Sequence, residues 1–147
     1  MKNNSALFYT CSLIEFIGRE QKLKRSEVVR FLGNKTIKRI YKYADVFHCE
    51  PIAKTADDFI TSLDIPKGDF DNEASCRYHV PDYWTIGEVY ERLIEDISDD
   101  DEAHIIDRLM EVYTSWIDGA ISNYNTDFYY QSREYISVCY REGEICS

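Results

Sequence analysis

The sequence predicts a single all-α domain, an orthogonal bundle of about six or seven helices. Apolar residues recur with a helical period along nearly the whole chain. Only three Pro and six Gly interrupt its 147 residues, and hydrophobic residues make up 44% of them, enough for one core. The predicted domain spans 1–147, with a basic helix-turn-helix-like part at 22–48, an irregular segment at 64–84 and an acidic helical part at 85–147.

Four helices are predicted in the N-terminal part of the chain. Ser5 is placed to cap the first, and Ser26 to cap the second. Gly33 is expected to end the second helix as a left-handed residue just beyond its last turn. Pro51 suits the first turn of the fourth helix. The predicted helices lie at about 6–21, 26–32, 34–47 and 51–62.

Three more helices are predicted after a break in the apolar period. The break at 64–84 holds two prolines and a glycine, and its length exceeds the usual connection, so we expect an ordered excursion or a mobile loop with a role. Thr85 and Glu88 have capping-box spacing. The acidic stretch 98–102 suits the start of the helix that follows it. The predicted helices lie at about 85–97, 102–124 and 132–141.

Charge is divided unevenly along the chain. Residues 1–54 carry 11 of the 17 Lys and Arg but only 5 of the 27 Asp and Glu. Residues 55–147 carry the other 6 basic residues and the other 22 acidic residues. The net charge of the whole chain is −10. This division indicates a charged partner, or neutralisation of one half by the other.

The predicted binding site is one face of the helix at 34–47. At 100° per residue its four cationic side chains fall within about 100° of one another, while Ile37 and Ile40 lie on the opposite side. Three further cations flank this face. The predicted partner- or phosphate-binding residues are Lys24, Arg25, Arg30, Lys35, Lys38, Arg39 and Lys42.

Two functions follow from this face. The first is a non-enzymatic interaction protein that binds an acidic protein surface, with aromatic residues as anchors in the interface. The second is a nucleic-acid-binding regulator, alone or as a homodimer, that uses the helix pair at 26–47. In that case Asn34, Lys35 and Thr36 stand where base-reading side chains are needed. Such binding has to be local to the basic part, because the chain as a whole is acidic.

Two alternatives use the acidic part instead. In one, the helices at 86–111 neutralise the basic face within the same molecule. In the other, a concentration of carboxylates mimics nucleic acid and blocks a partner's binding groove. Such a concentration is more commonly a helix face exposed to solvent. The carboxylates concerned are Glu88, Glu91, Glu95, Asp96, Asp99, Asp100, Asp101 and Glu102.

Catalytic and metal-binding patterns are weak. The chain has no G-x-S-x-G, no phosphate-binding glycine loop and no H-E-x-x-H. A Cys76–His104 pair would be spatial rather than sequential, so the sequence leaves it open. Cys76 and His79 form a C-x-x-H pair, but the adjacent His48 and Cys49 have poor spacing for two zinc ligands, and no C-x-x-C accompanies them. We predict no enzyme activity, no metal and no cofactor.

The chain is expected to be cytoplasmic, with no membrane partner. Its apolar stretch at 6–17 is too short to span a bilayer. Five scattered cysteines indicate reduced, largely buried thiols rather than a disulfide framework.

Three segments carry a resemblance: FYTCSLIEFIGREQKLKRSEVVRFLG, IYKYADVFHCEPI and ADDFI. They resemble small helical proteins of gut-dwelling Gram-positive bacteria that have no assigned function. Over about 7–60 the layout is similar to that of a shorter family found beside toxin-like genes, including ADP-ribosyltransferase-like ones. The resemblance implies an antitoxin, immunity or regulatory role, and brings no catalytic residues with it.

Overall fold

Helices form the whole regular structure of the described chain. The computed structural model describes residues 4–99 and 101–146, which contain eight α-helices, two 3-10 helices and no β-strand. The predicted all-α bundle is confirmed. No helix in these ranges is long and apolar enough to cross a membrane. The α-helices are α1 (Ser5–Gln21), α2 (Arg25–Lys42), α3 (Ala44–Phe47), α4 (Ile52–Ser62), α5 (Tyr83–Ser98), α6 (Ile105–Tyr113), α7 (Ile117–Ile121) and α8 (Arg133–Glu142).

Helix α1 forms the centre of the bundle. It packs against α2, α3, α4 and α5, so that most of its circumference is buried. Leu7, Leu13 and Ile17 are fully buried, as a helix surrounded by others requires. Glu15 is also fully buried, although it carries a carboxylate. A buried charge at the centre of the fold needs a partner, which the next helix supplies.

Helix α2 is broken at Gly33. Its φ of 81° and ψ of 157° lie outside the helical region, and the positive φ favours glycine. The break divides α2 into a first arm, 25–32, and a second arm, 34–42. The predicted interruption is confirmed, although the ψ differs from that of a left-handed cap. The predicted continuation to residue 47 is wrong, because Tyr43 leaves the helical region and α3 starts separately.

The C-terminal helices differ from the prediction at their ends. Asp82, not Thr85, caps α5: its carboxylate accepts the Thr85 N–H at 2.7 Å. The long helix predicted at 102–124 is wrong. It is divided into a 3-10 helix at Glu102–His104, then α6 and α7. At this division the Thr114 and Ser115 hydroxyls bond backbone carbonyls at 2.7 Å, so they compete with the helical ladder.

The irregular segment is held by backbone and side-chain hydrogen bonds. The Gly68 N–H donates to the Gln21 carbonyl at 2.8 Å, and the Phe70 N–H donates to the Lys22 carbonyl at 2.9 Å. Further on, Asn72 Nδ2 donates to the Ser122 carbonyl at 2.9 Å. The segment therefore joins the end of α1 to the end of α7, as an ordered excursion would.

Cysteines and surface aromatics only partly match expectation. All five cysteines are free, but only Cys11 and Cys139 are buried, so the prediction of largely buried thiols is wrong for the other three. The prediction that one tyrosine of the segment 125–132 is exposed is confirmed, since Tyr130 is 81% exposed.

Candidate functional site

Arg25 does not belong to the predicted binding site. Its side chain is fully buried, with Nε 2.9 Å from Glu15 Oε1 and Nη2 2.9 Å from Glu15 Oε2. The remaining guanidinium nitrogen donates to the Leu23 carbonyl at 2.6 Å. A Cβ at Gly18 would collide with this side chain, so the missing side chain at residue 18 makes the burial possible. Sequence alone counted Arg25 as a surface cation because its burial depends on contacts distant in sequence.

Glu15 gathers further partners around the same buried position. Arg19 Nε lies 2.9 Å from Glu15 Oε2, and the Tyr124 hydroxyl donates to the same oxygen. Burial disfavours the ionised carboxyl, but the neighbouring Arg25 and Arg19 guanidinium groups outweigh it and lower the pKa of Glu15 to about 2. We call Glu15, Arg19, Arg25 and Tyr124 the buried network. It joins α1, α2 and the chain after α7, and its charged groups pair with one another.

The second arm of α2 carries the predicted basic face outward. Ile37 and Ile40 are fully buried on the inner side, where α2 packs against α1 and α6. The four cations on the other side are exposed. We call these four residues the basic row: Lys35, Lys38, Arg39 and Lys42.

The basic row lacks internal partners. None of its four side chains forms an ion pair with an acidic side chain of the described residues. Lys42 Nζ instead lies 5.4 Å from the centre of the Tyr43 ring. Elsewhere cations do pair: Arg133 contacts Asp96 at 2.8 Å. Direct neutralisation by the acidic helices is therefore not what the described part of the chain shows.

Three large apolar side chains close in sequence to the basic row are exposed. Phe31 ends the first arm and is 43% exposed, Tyr43 follows the second arm and is 45% exposed, and Val46 of α3 is 62% exposed. The apolar pattern groups Phe31 with the inward contacts of the predicted helix at 26–32, and its exposure shows that this grouping is wrong, whereas Tyr43 and Val46 were not singled out. The exposure of Tyr43 and Val46 could have been predicted, because each is an apolar residue at a position that the helical period places outside the core.

A groove adjoins the same surface. It encloses about 580 Å³ between the start of α1, the end of α2 and α3, and its walls include Phe8, Tyr9, Lys42 and His48. The Tyr9 hydroxyl is buried and forms no hydrogen bond among the described residues. Because Lys42 belongs both to the basic row and to this wall, the groove and the row form one continuous surface.

The flanking cations and the base-reading positions have separate surroundings. Lys24 and Arg30 are exposed, but Lys24 lines a different cleft, beside α7. Asn34 and Thr36 are half-buried at the start of the second arm, next to the exposed Lys35. The predicted seven-residue site thus consists of one buried residue, two exposed residues outside the row, and the basic row itself.

The acidic residues do not form a continuous free surface. Glu91 is buried, while Glu95 and Asp96 bond Arg133 at 3.3 and 2.8 Å. Burial, followed by hydrogen bonding to Glu95, raises the pKa of Glu91 to about 8. Asp100 lies outside the described residues. Glu88, Asp99, Asp101 and Glu102 each contact a side chain of the fold as well, so all seven described carboxylates proposed for mimicry are buried or have an internal partner.

The candidate catalytic and metal-binding side chains have partners of their own. Cys76 Sγ donates to the Tyr78 carbonyl at 3.3 Å, while His104 Nδ1 lies 2.9 Å from Asp101 Oδ2. Among the described residues no three His, Cys, Asp or Glu side chains are grouped to hold a metal ion.

Comparisons with protein-family models, with curated proteins and with solved structures found no match. The resemblance over 7–60 therefore stays a prediction.

Proposed function

We propose that the chain is a cytoplasmic, non-enzymatic binding protein whose basic row recognises an acidic protein segment. The observation that carries this proposal is the exposure of four cations on one helix face with no ion pair to the described acidic side chains. Such binding suits an antitoxin, immunity or regulatory component.

Without a partner, the four charges of the basic row contribute little to the stability of the fold. An exposed ion pair contributes only ~0–1 kcal/mol, and the basic row does not form even that. Sorted surface charge does steer a partner of opposite sign and fix its orientation. Because the chain has a net charge of −10, most of its surface repels an acidic partner, whereas the cationic face attracts it. An acidic segment is therefore directed to this face.

Apolar groups favour a protein partner over a nucleic acid. Tyr43 supplies exposed apolar area beside the row, since its ring centre lies 5.4 Å from Lys42 Nζ, and Phe31 and Val46 are exposed close to the row in sequence. The groove next to Lys42 has room for a partner's side chain. Protein interfaces combine apolar anchors with a polar rim, whereas phosphate recognition uses charged and hydrogen-bonding groups and needs no apolar anchor. We therefore expect the partner segment to place an apolar or aromatic residue between acidic ones.

A nucleic-acid-binding regulator is the second candidate. The break at Gly33 joins two helical arms, and the half-buried Asn34 and Thr36 stand at the start of the second arm beside Lys35. These features support base reading by an inserted helix, alone or in a homodimer. Its affinity would fall steeply as salt rises, because each neutralised phosphate releases counterions.

The test is a selection from a random peptide display library against the full chain. We expect enriched peptides to contain an apolar or aromatic residue flanked by Asp and Glu. A variant with glutamine at all four positions of the basic row should lose the enriched peptides, since glutamine keeps the helix but removes the charge.

A matched control carries the same change in net charge elsewhere. Glutamine at Lys54, Lys67, Arg77 and Arg92, all exposed, should leave peptide binding unchanged. Peptides without acidic residues, or equal loss in both variants, would contradict the proposal. A mixed-sequence DNA or RNA that binds the chain at ~50 mM salt, and does so only when the row is intact, would replace it with the second candidate.

A further inference from the structure

A second cleft lies away from the basic row. It encloses about 330 Å³ between the start of α2, the irregular segment and α7 with the turn after it. This volume is at the small end of ligand sites, which favours a molecule of monosaccharide size over a larger one. No member of the basic row lines it, so whatever occupies it does not depend on the function proposed above.

The polar walls of this cleft are fixed in place. Asp118 is 5% exposed; its Oδ1 accepts the Tyr90 hydroxyl at 2.5 Å and its Oδ2 accepts the Ser26 N–H at 3.3 Å. Asn72 is 8% exposed and accepts Arg25 Nη2 at 3.3 Å. A binding site whose polar groups are already oriented loses less entropy when a ligand arrives.

Other polar groups in the cleft remain unused. The Ser122 hydroxyl is buried, in a residue 3% exposed, and forms no hydrogen bond among the described residues, although the Tyr90 hydroxyl lies near it. The described contacts likewise give no bond to the side-chain hydroxyls of Ser26 and Ser75. A buried hydroxyl without a partner costs stability, and a hydroxylated ligand would remove that cost.

The charges of the cleft nearly balance. Burial raises the pKa of Asp118 to about 6, so its carboxylate is mainly ionised at neutral pH and disfavours an anion. The ammonium of Lys24, an exposed residue that lines the cleft, disfavours a cation. Hydroxyls both donate and accept, and Phe70 adds a half-buried apolar ring.

We propose that this cleft binds a neutral, hydroxyl-rich molecule of monosaccharide size. Its hydroxyls would donate to the outer lone pairs of Asp118 and exchange hydrogen bonds with Ser122 and Ser26. The apolar face of its ring would lie against Phe70.

The test uses ligand-observed NMR on the full chain with D-ribose, D-glucose, D-galactose, D-mannose and N-acetyl-D-glucosamine, each at ~10 mM, enough to fill a site with a Kd of ~1 mM. Inorganic phosphate and putrescine serve as the anionic and cationic probes. We expect at least one sugar to bind, and neither charged probe to compete with it.

Two variants locate the binding. Ser122→Ala should weaken it about tenfold by removing one hydrogen bond. Ser12→Ala is the matched control, because Ser12 also has a buried hydroxyl without a hydrogen bond but does not line the cleft. It should bind as the native chain does, and circular dichroism should show the same helical signal in all three proteins.

A steric block gives an independent result. A Cβ at Gly119, which lines the cleft, would meet no atom within 4 Å, so Gly119→Trp should fill the cleft without disturbing the core and abolish sugar binding. Binding of none of the five sugars, stronger binding of phosphate or putrescine, or sugar binding that survives both Ser122→Ala and Gly119→Trp would overturn the proposal.

Discussion

Arg25, in the first arm of α2, and the basic row, in the second arm, are cationic side chains with opposite surroundings. Arg25 is fully buried and forms hydrogen bonds with Glu15, Leu23 and Asn72, so that its charge is paired within the fold. In the second arm the basic row is exposed and has no ion pair among the described residues. Only the break at Gly33 separates the two. A count of cations along this helix therefore overstates its binding surface.

The charge of Arg25 stabilises the fold, whereas the charges of the basic row are available to bind a partner. Removing one partner of a buried ion pair leaves an uncompensated charge, which is costly. Removing an exposed, unpaired charge leaves no uncompensated charge in the protein, so it has little effect on stability. Stability measurements and binding measurements should therefore respond to different residues of one helix.

The largest expected effect comes from the first arm. Arg25→Met should lower the free energy of unfolding by about 3 kcal/mol or more, because Glu15 stays buried with too few partners. Arg30→Met, on the exposed side of the same arm, should change it by no more than ~0.5 kcal/mol. Urea unfolding of the two variants measures the difference. Similar values for both would mean that the buried pair is not what distinguishes the arms.

Acid should weaken the buried network. The folded-state pKa of Glu15 lies near 2, below its ordinary 4.5, so its stabilisation is present above pH ~4.5 and is lost as the pH falls toward 2. Glu15→Gln should flatten this acid limb in a plot of unfolding free energy against pH. An unchanged limb would show that Glu15 is not paired as described.

The acidic part should show the opposite slope. The pKa of Glu91 is raised to about 8, so its protonated form stabilises the fold below pH ~4.5 and that contribution is lost as the pH rises through 8. Glu91→Gln should remove a slope of up to about 1.4 kcal/mol per pH unit in this window. Glu88→Gln, on the exposed face of the same helix, is the control and should keep the slope. Equal slopes in both variants would argue against a protonated Glu91.

Neutralising the second arm should have only a small effect on stability. Glutamine at all four positions of the basic row should change the free energy of unfolding by no more than ~1 kcal/mol, since no described ion pair is lost. Urea unfolding checks this value. A loss comparable to that of Arg25→Met would mean that the row, too, is used within the fold.

Local patterns in the sequence were enough to predict the helical period, the break at Gly33 and the outward position of the basic row. The burial of Arg25 was not predictable, because it depends on Glu15, Gly18 and Asn72 meeting in three dimensions. The end of α6 was missed because the apolar period carries no sign of the Thr114 and Ser115 hydroxyls, which bond the Met110 and Val112 carbonyls alongside the backbone. The groove and the sugar-sized cleft were missed because each is lined by separate elements.

The most direct measurement is NMR mapping of a display-selected acidic peptide on the isotope-labelled full chain. We expect the largest amide shifts between residues 34 and 47, decreasing as salt is raised, with the signals of Arg25 and Glu15 nearly unmoved. Shifts centred on α5 and α6 instead, or a peptide complex that leaves residues 34–47 unperturbed, would contradict the assignment of the second arm as the binding surface.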